Sequence, residues 1–126
     1  MPQNFKIIKK HSEFLNIKLK GTVHRSNSLI LQKLFDEKLL DSKRLGYTAT
    51  KKLGNAVRRN RAKRLMREIA RKIINQYGKK NFSYVLIAKK QIFDTPIQKL
   101  ENELRELVEK WKQYLILFLN NWQTYL

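Results

Sequence analysis

The spacing of apolar and polar residues in the first third of the chain predicts a short helix, a strand and a loop. Ser12 is the expected N-cap of a helix of about two turns that ends before Gly21, because serine caps helix N-termini and glycine tolerates the positive φ of a helix stop. Thr22 to Leu34 is strand-like, with an apolar run at its centre. The polar segment from Asp36 to Lys43 is expected to be a loop with a helical turn around Leu39.

Two later segments also have the character of strands. Arg44 to Lys51 alternates, with Leu45, Tyr47 and Ala49 on one face and small or polar residues on the other, which is the period of a half-buried strand. Phe82 to Ala88 is almost continuously apolar, which is typical of a buried strand. The chain is therefore expected to build a sheet.

A long amphipathic helix is predicted between these two strands. Asn55 is a favourable N-cap, Ala56 to Tyr77 has helical periodicity, and Gly78 is placed to end the helix. At 100° per residue its apolar stripe comprises Ala62, Leu65, Met66, Ile69, Ala70, Ile73 and Tyr77. The rest of the surface is basic, so the apolar stripe is expected to cover the sheet.

The last predicted element is a second helix with a clear start. Thr95, Pro96 and Gln98 form a capping-box pattern with proline at the first helical position, so the helix is expected to run from Pro96 into the 110s. Its glutamates are balanced by lysines and arginines, which indicates an ordinary solvated face. The apolar tail from Gln113 to Leu126 is either an additional core helix, which we favour, or a self-association surface.

Length and composition predict a single domain over residues 1–126. The 126 residues contain no linker, repeat or low-complexity tract, and 42% of them are hydrophobic, which is enough for a small core. Without cysteine the chain has no disulfide, thiolate zinc site or cysteine nucleophile. No secretory signal is visible, and the longest apolar run, Tyr114 to Leu119, is too short to span a bilayer. A cytoplasmic protein is expected.

The charge changes this picture most. The net charge is +18, and Ser42 to Arg67 contains ten basic residues and no acidic residue. Within the long helix, pairs such as Arg59 with Lys63 and Lys63 with Arg67 place like charges four residues apart. Each such pair destabilises an isolated helix by roughly a few tenths of a kcal/mol. A solvated face would not repeat such pairs, so a bound polyanion is the better explanation.

RNA is favoured over the other polyanions. Basic residues cover more of the helix than a DNA recognition helix uses, and the polar face of the neighbouring strand is suited to an unpaired nucleic-acid strand. An amphipathic protein on a membrane surface is the alternative, since it also combines a basic face with an apolar one. The need for the apolar stripe to cover the sheet argues against it, so no membrane partner and no small-molecule substrate is expected.

The segment from Gly46 to Glu68 resembles the signature of the bacterial ribonuclease P protein component. The resemblance lies in the sequence Lys-Lys-Leu-Gly-Asn-Ala-Val over residues 51–57, in the arginine-rich centre Arg59-Asn60-Arg61, and in the basic residues that follow it. It implies an α+β fold: a small two-layer α/β sandwich with a short N-terminal helix, a mixed sheet of about four strands, the long basic helix in a crossover and a C-terminal helix.

The resemblance also implies the function and the site residues. The protein would bind the ribonuclease P catalytic RNA and precursor tRNA, and the RNA would remove the 5′ leader. The residues that would contact the catalytic RNA are Lys51, Lys52, Arg58, Arg59, Asn60, Arg61, Lys63, Arg64 and Arg67. The residues that would line a cleft for the single-stranded leader are Phe14, Lys18, Gln32, Thr48 and Thr50, with Arg59, Asn60 and Lys63 at its basic edge.

The chain is not expected to be catalytic without RNA. The basic segment has neither the converging acids of a two-metal nuclease nor a histidine pair, and His11 and His24 have no recognisable partner. No catalytic residue and no metal ligand is therefore assigned, and Mg²⁺ is expected to be bound mainly by the partner RNA. A non-enzymatic RNA-binding module, such as a ribosomal protein or an RNA chaperone, is the alternative function.

Overall fold

Strands and helices alternate along most of the chain. A computed structural model describes the backbone of residues 5–124 and the side chains of residues 5–110. The strands are β1 (Phe5–Ile7), β2 (Thr22–Arg25), β3 (Leu29–Phe35), β4 (Lys43–Thr48) and β5 (Phe82–Ala88). The α-helices are α1 (His11–Lys20), α2 (Ala56–Tyr77) and α3 (Ile97–Thr124), and short 3₁₀ turns lie at Glu37–Leu39, Lys51–Leu53 and Lys90–Asp94.

The strands form one mixed sheet in the order β1-β4-β5-β3-β2. β4 pairs in parallel with both of its neighbours, whereas β3 is antiparallel to β5 and to β2. Because β4 and β5 are parallel, the chain must cross from the end of one strand to the start of the other, and α2 is this crossover. The α+β class and the mixed sheet are therefore confirmed.

The two faces of the sheet are covered unequally. Side chains such as Leu31, Leu45 and Leu86 belong to the main core, in which α2 and α3 pack together on one face. Val85, on the other face, packs with Ile17 of α1 in a second, smaller cluster. The fold is thus a two-layer sandwich with α1 added to the opposite side of the sheet, and this short helix leaves part of that side open.

The boundaries of α2 agree with those predicted from the sequence. The Asn55 side chain accepts a hydrogen bond from the backbone N–H of Arg58 at 3.0 Å, and Gly78 follows the last helical residue. The buried residues of the helix include Ala62, Met66 and Ile69 of the predicted stripe. The strand at Phe82–Ala88 and the helical turn before β4 are also confirmed.

Three predictions near the N-terminus are wrong. Ser12 is the second residue of α1 rather than its cap, because the helix begins after Lys10 without a side-chain cap. The single strand predicted over 22–34 is a hairpin, in which Ser26 accepts a hydrogen bond from the N–H of Leu29 at 3.1 Å and reverses the chain. With this division and the three-residue β1, the described sheet has five strands instead of about four.

The predicted capping box at α3 does not form either. The Thr95 hydroxyl donates to the carbonyl of Gln91 at 2.6 Å and lies 2.8 Å from the Ser28 hydroxyl, so its partners lie outside the helix. Glu103 accepts from both the N–H and the hydroxyl of Ser28, at 3.0 and 3.1 Å. This glutamate was assigned to a solvated face, but it connects α3 to the β2–β3 turn.

The backbone of α3 continues to Thr124. The prediction that the tail 113–126 is a core helix or a self-association surface concerns side chains outside the described residues. Among the residues that the structure describes, no helix is both long enough and apolar enough to cross a membrane.

Lys33 is a charged residue inside the main core. It is only 3% exposed, and its ammonium donates to the carbonyls of Leu107 and Val108 in α3 at 3.1 and 3.2 Å. Burial, and secondarily the charge of Lys110, lower the pKa of Lys33 to about 8. The charged form is therefore disfavoured in the folded state, although it holds α3 against β3.

We predict that Lys33→Met changes how the stability of the protein depends on pH. The unfolded lysine titrates near pH 10.4 and the folded one near 8, so between these values only the unfolded state retains the proton. The free energy of unfolding of the wild type should rise through this window, by up to about 3 kcal/mol, relative to that of the variant.

Urea unfolding at several pH values from 7 to about 10.4 measures this difference. Lys99→Met is the control, because the exposed Lys99 ammonium stays in water in both states. If the difference in unfolding free energy between the wild type and Lys33→Met stays constant with pH, as expected for the control, the lowered pKa of Lys33 is contradicted.

Candidate RNA-binding surface

An open cleft lies where α1 leaves the sheet uncovered. Its volume is about 460 Å³. Residues from five elements and the loop after β4 line it: His11, Phe14, Leu15, Lys18, Gln32, Tyr47, Thr48, Ala49, Thr50, Lys63, Val85 and Ile87. The wall formed by α1 is held in place by a salt bridge between Glu13 and Arg44 of β4, at 3.4 Å.

Gly46 determines how Phe14 sits in this cleft. A Cβ atom at Gly46 would lie 2.6 Å from Cε1 of the Phe14 ring and 3.3 Å from Cβ of Ile8. The absence of a side chain therefore allows the ring to lie directly against the backbone of β4. This close approach makes Phe14 a flat apolar surface in the wall of the cleft.

The structure brings together all five residues predicted to line a leader cleft. Phe14 and Lys18 come from α1, Gln32 from β3, and Thr48 and Thr50 from β4 and the loop after it. Of the three residues predicted at the basic edge, Lys63 lines the cleft, whereas Arg59 and Asn60 do not. The role of these residues in binding RNA stays a prediction.

Sequence reasoning missed several residues that line the cleft. His11 and Leu15 share a helical face with Phe14 and Lys18, so their spacing in α1 could have identified them. Val85 and Ile87 had no such signal, because a continuously apolar strand does not show which of its residues face an opening.

The basic residues of α2 point in three different directions. Lys63, Arg67 and Arg71, each four residues apart, line openings beside β4. Arg61 and Arg64 are exposed to solvent. Lys72 points towards α3, where it forms a salt bridge with Glu101 at 3.2 Å.

Arg58 has partners within the protein, although the sequence placed it among the RNA contacts. Its Nε donates to the carbonyl of Leu53 at 2.9 Å, and its guanidinium lies 4.4 Å from the centre of the Phe93 ring. Gly54, at φ 125°, adopts a backbone conformation that favours glycine and carries the chain from the 3₁₀ turn into α2. Arg58 therefore positions the turn that carries Lys51 and Lys52.

Arg59 differs from its neighbours in having an unsatisfied donor. Its Nε is buried and has no hydrogen-bond partner among the described residues. A buried donor without an acceptor costs about 1 to 3 kcal/mol, so this Nε destabilises the folded protein.

The described residues contain no group of three or more histidine, aspartate or glutamate side chains arranged to hold a metal ion. The cleft and the exposed side of α2 instead present guanidinium, ammonium, hydroxyl and amide groups beside the aromatic rings of Phe14 and Tyr47. These groups donate hydrogen bonds to phosphates and stack on bases, which are the contacts made with a single-stranded nucleic acid.

Comparison with known proteins identifies the family. Residues 1–112 match the family model for Ribonuclease P. The chain belongs to the ribonuclease P protein family. The matched range includes the whole sheet, α1, α2 and all of the described side chains of α3.

Relatives and solved structures agree with this assignment. The chain is 35% identical over 103 residues to the ribonuclease P protein component of Gluconacetobacter diazotrophicus, covering 82% of this chain and 88% of that protein. It is 34% identical over 109 residues to that of Fusobacterium nucleatum, covering 83% and 96%. The RNase P protein from Thermotoga maritima superimposes with a TM-score of 0.72 at 25% identity, covering 83% of this chain and 96% of that one.

We predict that Gly46→Ala displaces the Phe14 ring and destabilises the fold by about 1 to 3 kcal/mol, as overpacking does elsewhere. In the double variant Phe14→Ala/Gly46→Ala the closest clash is absent, so the two losses should not add. Urea unfolding of the wild type, both single variants and the double variant measures the coupling. Strictly additive losses would show that the ring does not rest on Gly46.

Proposed function

We propose that this chain is the protein subunit of a ribonuclease P ribonucleoprotein, which removes the 5′ leader from precursor tRNA. The observation that carries the proposal is the position of Lys63, a residue of the basic helix that also lines the cleft beside Phe14. Membership of the family supports it. In this proposal residues 1–126 act as one RNA-binding domain in the cytoplasm.

The basic helix would bind the catalytic RNA. Arg61 and Arg64 are exposed, and Lys51 and Lys52 lie on the turn that precedes the helix. The N-terminus of α2 adds backbone N–H groups and the positive end of the helix dipole, both of which favour phosphate. Release of counterions from the RNA would drive this binding and make it dependent on salt.

The cleft would bind the single-stranded leader. Phe14 provides a surface on which a base can stack, while Thr48, Thr50 and Gln32 offer hydrogen bonds to base edges or to 2′-hydroxyl groups. Lys18 and Lys63 would contact phosphates at the two sides of the cleft. The resemblance to the family implies aromatic residues at the positions of Lys18 and Gln32, so phosphate contacts would contribute relatively more here than stacking.

The catalytic RNA would carry out the hydrolysis, and the Mg²⁺ ions would be bound mainly by that RNA. The protein's contribution is electrostatic: it neutralises RNA phosphates, which lowers the concentration of Mg²⁺ that the RNA needs, and it strengthens binding of the substrate through the leader.

Cleavage of a 5′-extended precursor tRNA at low millimolar magnesium tests the proposal. A bacterial ribonuclease P RNA alone, this protein alone and the mixture are compared. We expect cleavage at the mature 5′ end only, or far faster, in the mixture. If the mixture cleaves no better than the RNA alone while the protein still binds RNA, the chain is an RNA-binding module instead.

We predict that Arg61→Ala with Arg64→Ala weakens binding to the catalytic RNA and reduces its salt dependence. Each lost phosphate contact should lower the slope of log affinity against log salt by roughly 0.7 to 0.9. Filter binding at several salt concentrations measures the slope. The matched control is Lys99→Ala with Arg105→Ala, which removes the same charge from α3. If both double variants reduce the slope equally, the effect belongs to the net charge and not to α2.

A further inference from the structure

A second groove opens on the other side of β4, between the edge of the sheet and α2. Its volume is about 430 Å³. The residues that line it are Phe5, Ile7, Leu45, Tyr47, Arg67 and Arg71. Phe5, Ile7, Leu45 and Arg71 of this lining lie outside both the family signature over residues 46–68 and the leader cleft.

The groove exists because the sheet extends one strand beyond the helix that covers it. β1 pairs with β4 so that Phe5 lies opposite Lys43 and Ile7 opposite Leu45. Residues that lie opposite each other on paired strands point to the same face of the sheet, so Phe5 and Ile7 lie on the face where Leu45 enters the main core. Ile7 remains 54% exposed on it, which is unusual for an isoleucine on a core-facing side.

One wall of the groove is cationic and unneutralised. The guanidinium of Arg67 lies 5.8 Å from the centre of the Tyr47 ring. Arg67 and Arg71 both line the groove together with Tyr47. Burial raises the pKa of the Tyr47 hydroxyl, while the charges of the two arginines act in the opposite direction. Neither arginine forms an ion pair with a described residue. An apolar, partly aromatic floor beside two free guanidinium groups is suited to a nucleotide, whose base is flat and whose phosphate is anionic.

The second groove and the leader cleft share a lining residue and a row of cations. Tyr47 lines both openings, and the row of Lys63, Arg67 and Arg71 begins in the cleft and continues along the groove. Four residues of α-helix rise by about 6 Å, so the three cations follow one another along a single path.

We propose that the second groove is a further leader subsite, in which a nucleotide beyond the cleft places its base on the apolar floor and its phosphate against Arg67 and Arg71. This inference rests on the proposed function, since it extends the path of the same RNA strand. It assigns Arg71 and Tyr47 to RNA binding, and it assigns Arg67 to the leader instead of the catalytic RNA.

The test compares leader lengths in the reconstituted holoenzyme. Precursor tRNAs with a short leader, which ends within the cleft, and with a long leader are prepared together with mature tRNA. Arg71→Ala should weaken binding of the long-leader precursor by roughly fivefold, as expected for one partly exposed charge contact, and should leave the other two affinities unchanged. Ile7→Glu, which places a carboxylate on the exposed part of the floor, should have the same selective effect.

Lys72→Ala is the matched control. It removes the same charge from the adjacent residue of α2, but Lys72 is directed towards Glu101 of α3. If this control weakens the long-leader precursor as much as Arg71→Ala does, the loss reflects net charge and the inference is wrong.

The remaining outcomes separate this inference from the proposed function. Equal losses for all three RNAs would mean that the groove holds the catalytic RNA, and no loss for any would mean that it binds no RNA; both overturn the inference only. A wild-type holoenzyme that binds precursor no better than mature tRNA would overturn the proposed leader cleft, and this subsite with it.

Discussion

The rotation of α2 about its own axis is the constraint on which the functional surface depends. Six residues of α2, from Ala62 to Ile74, are buried against the sheet and α3, and their burial permits only one orientation of the helix. The orientation of every cation on α2 follows from it, because side chains project at fixed angles from a helix. Lys63 consequently faces the cleft, and Lys72 faces α3. The arginine-rich sequence is presented on the surface only because the opposite stripe is apolar.

The sheet contributes the second half of this arrangement through incomplete coverage. α1 is ten residues long and buries Ile17, but it leaves the ends of the strands open next to Thr48. On the opposite face, β1 extends the sheet past α2 and leaves Ile7 exposed. Each opening combines an apolar floor with a cation from α2. A larger helix on either side would bury more apolar surface and stabilise the fold, but it would also close the opening.

Features encoded by neighbouring residues could be predicted from the sequence, and features that need a distant partner could not. The limits of α2 depend on Asn55 and Gly78, which lie beside the helix they delimit. The Thr95 hydroxyl does not cap α3 because it donates to the carbonyl of Gln91 and lies against the hydroxyl of Ser28, 67 residues away in the sequence. The short β1 exists only through its pairing with β4, and three residues carry no period of their own.

The candidate site divides in the same way. Phe14, Lys18, Gln32, Thr48 and Thr50 were placed by resemblance to the family, and the structure does bring them together in one cleft. Arg58 could not be separated from Arg61 by sequence, since both belong to the same arginine-rich run. Their difference depends on the carbonyl of Leu53, which accepts a hydrogen bond from Arg58 only in the folded chain.

The excess of positive charge disfavours folding and favours binding of a polyanion. The net charge of +18 opposes compaction through self-repulsion, and three salt bridges among the described residues offset little of it. A polyanion that binds only the folded chain stabilises it by mass action, because it neutralises the charges that folding brings together. Under the proposed function, the same cations that strain α2 in isolation would stabilise the folded protein once RNA occupied the surface, so RNA binding and the stability of α2 would be thermodynamically linked.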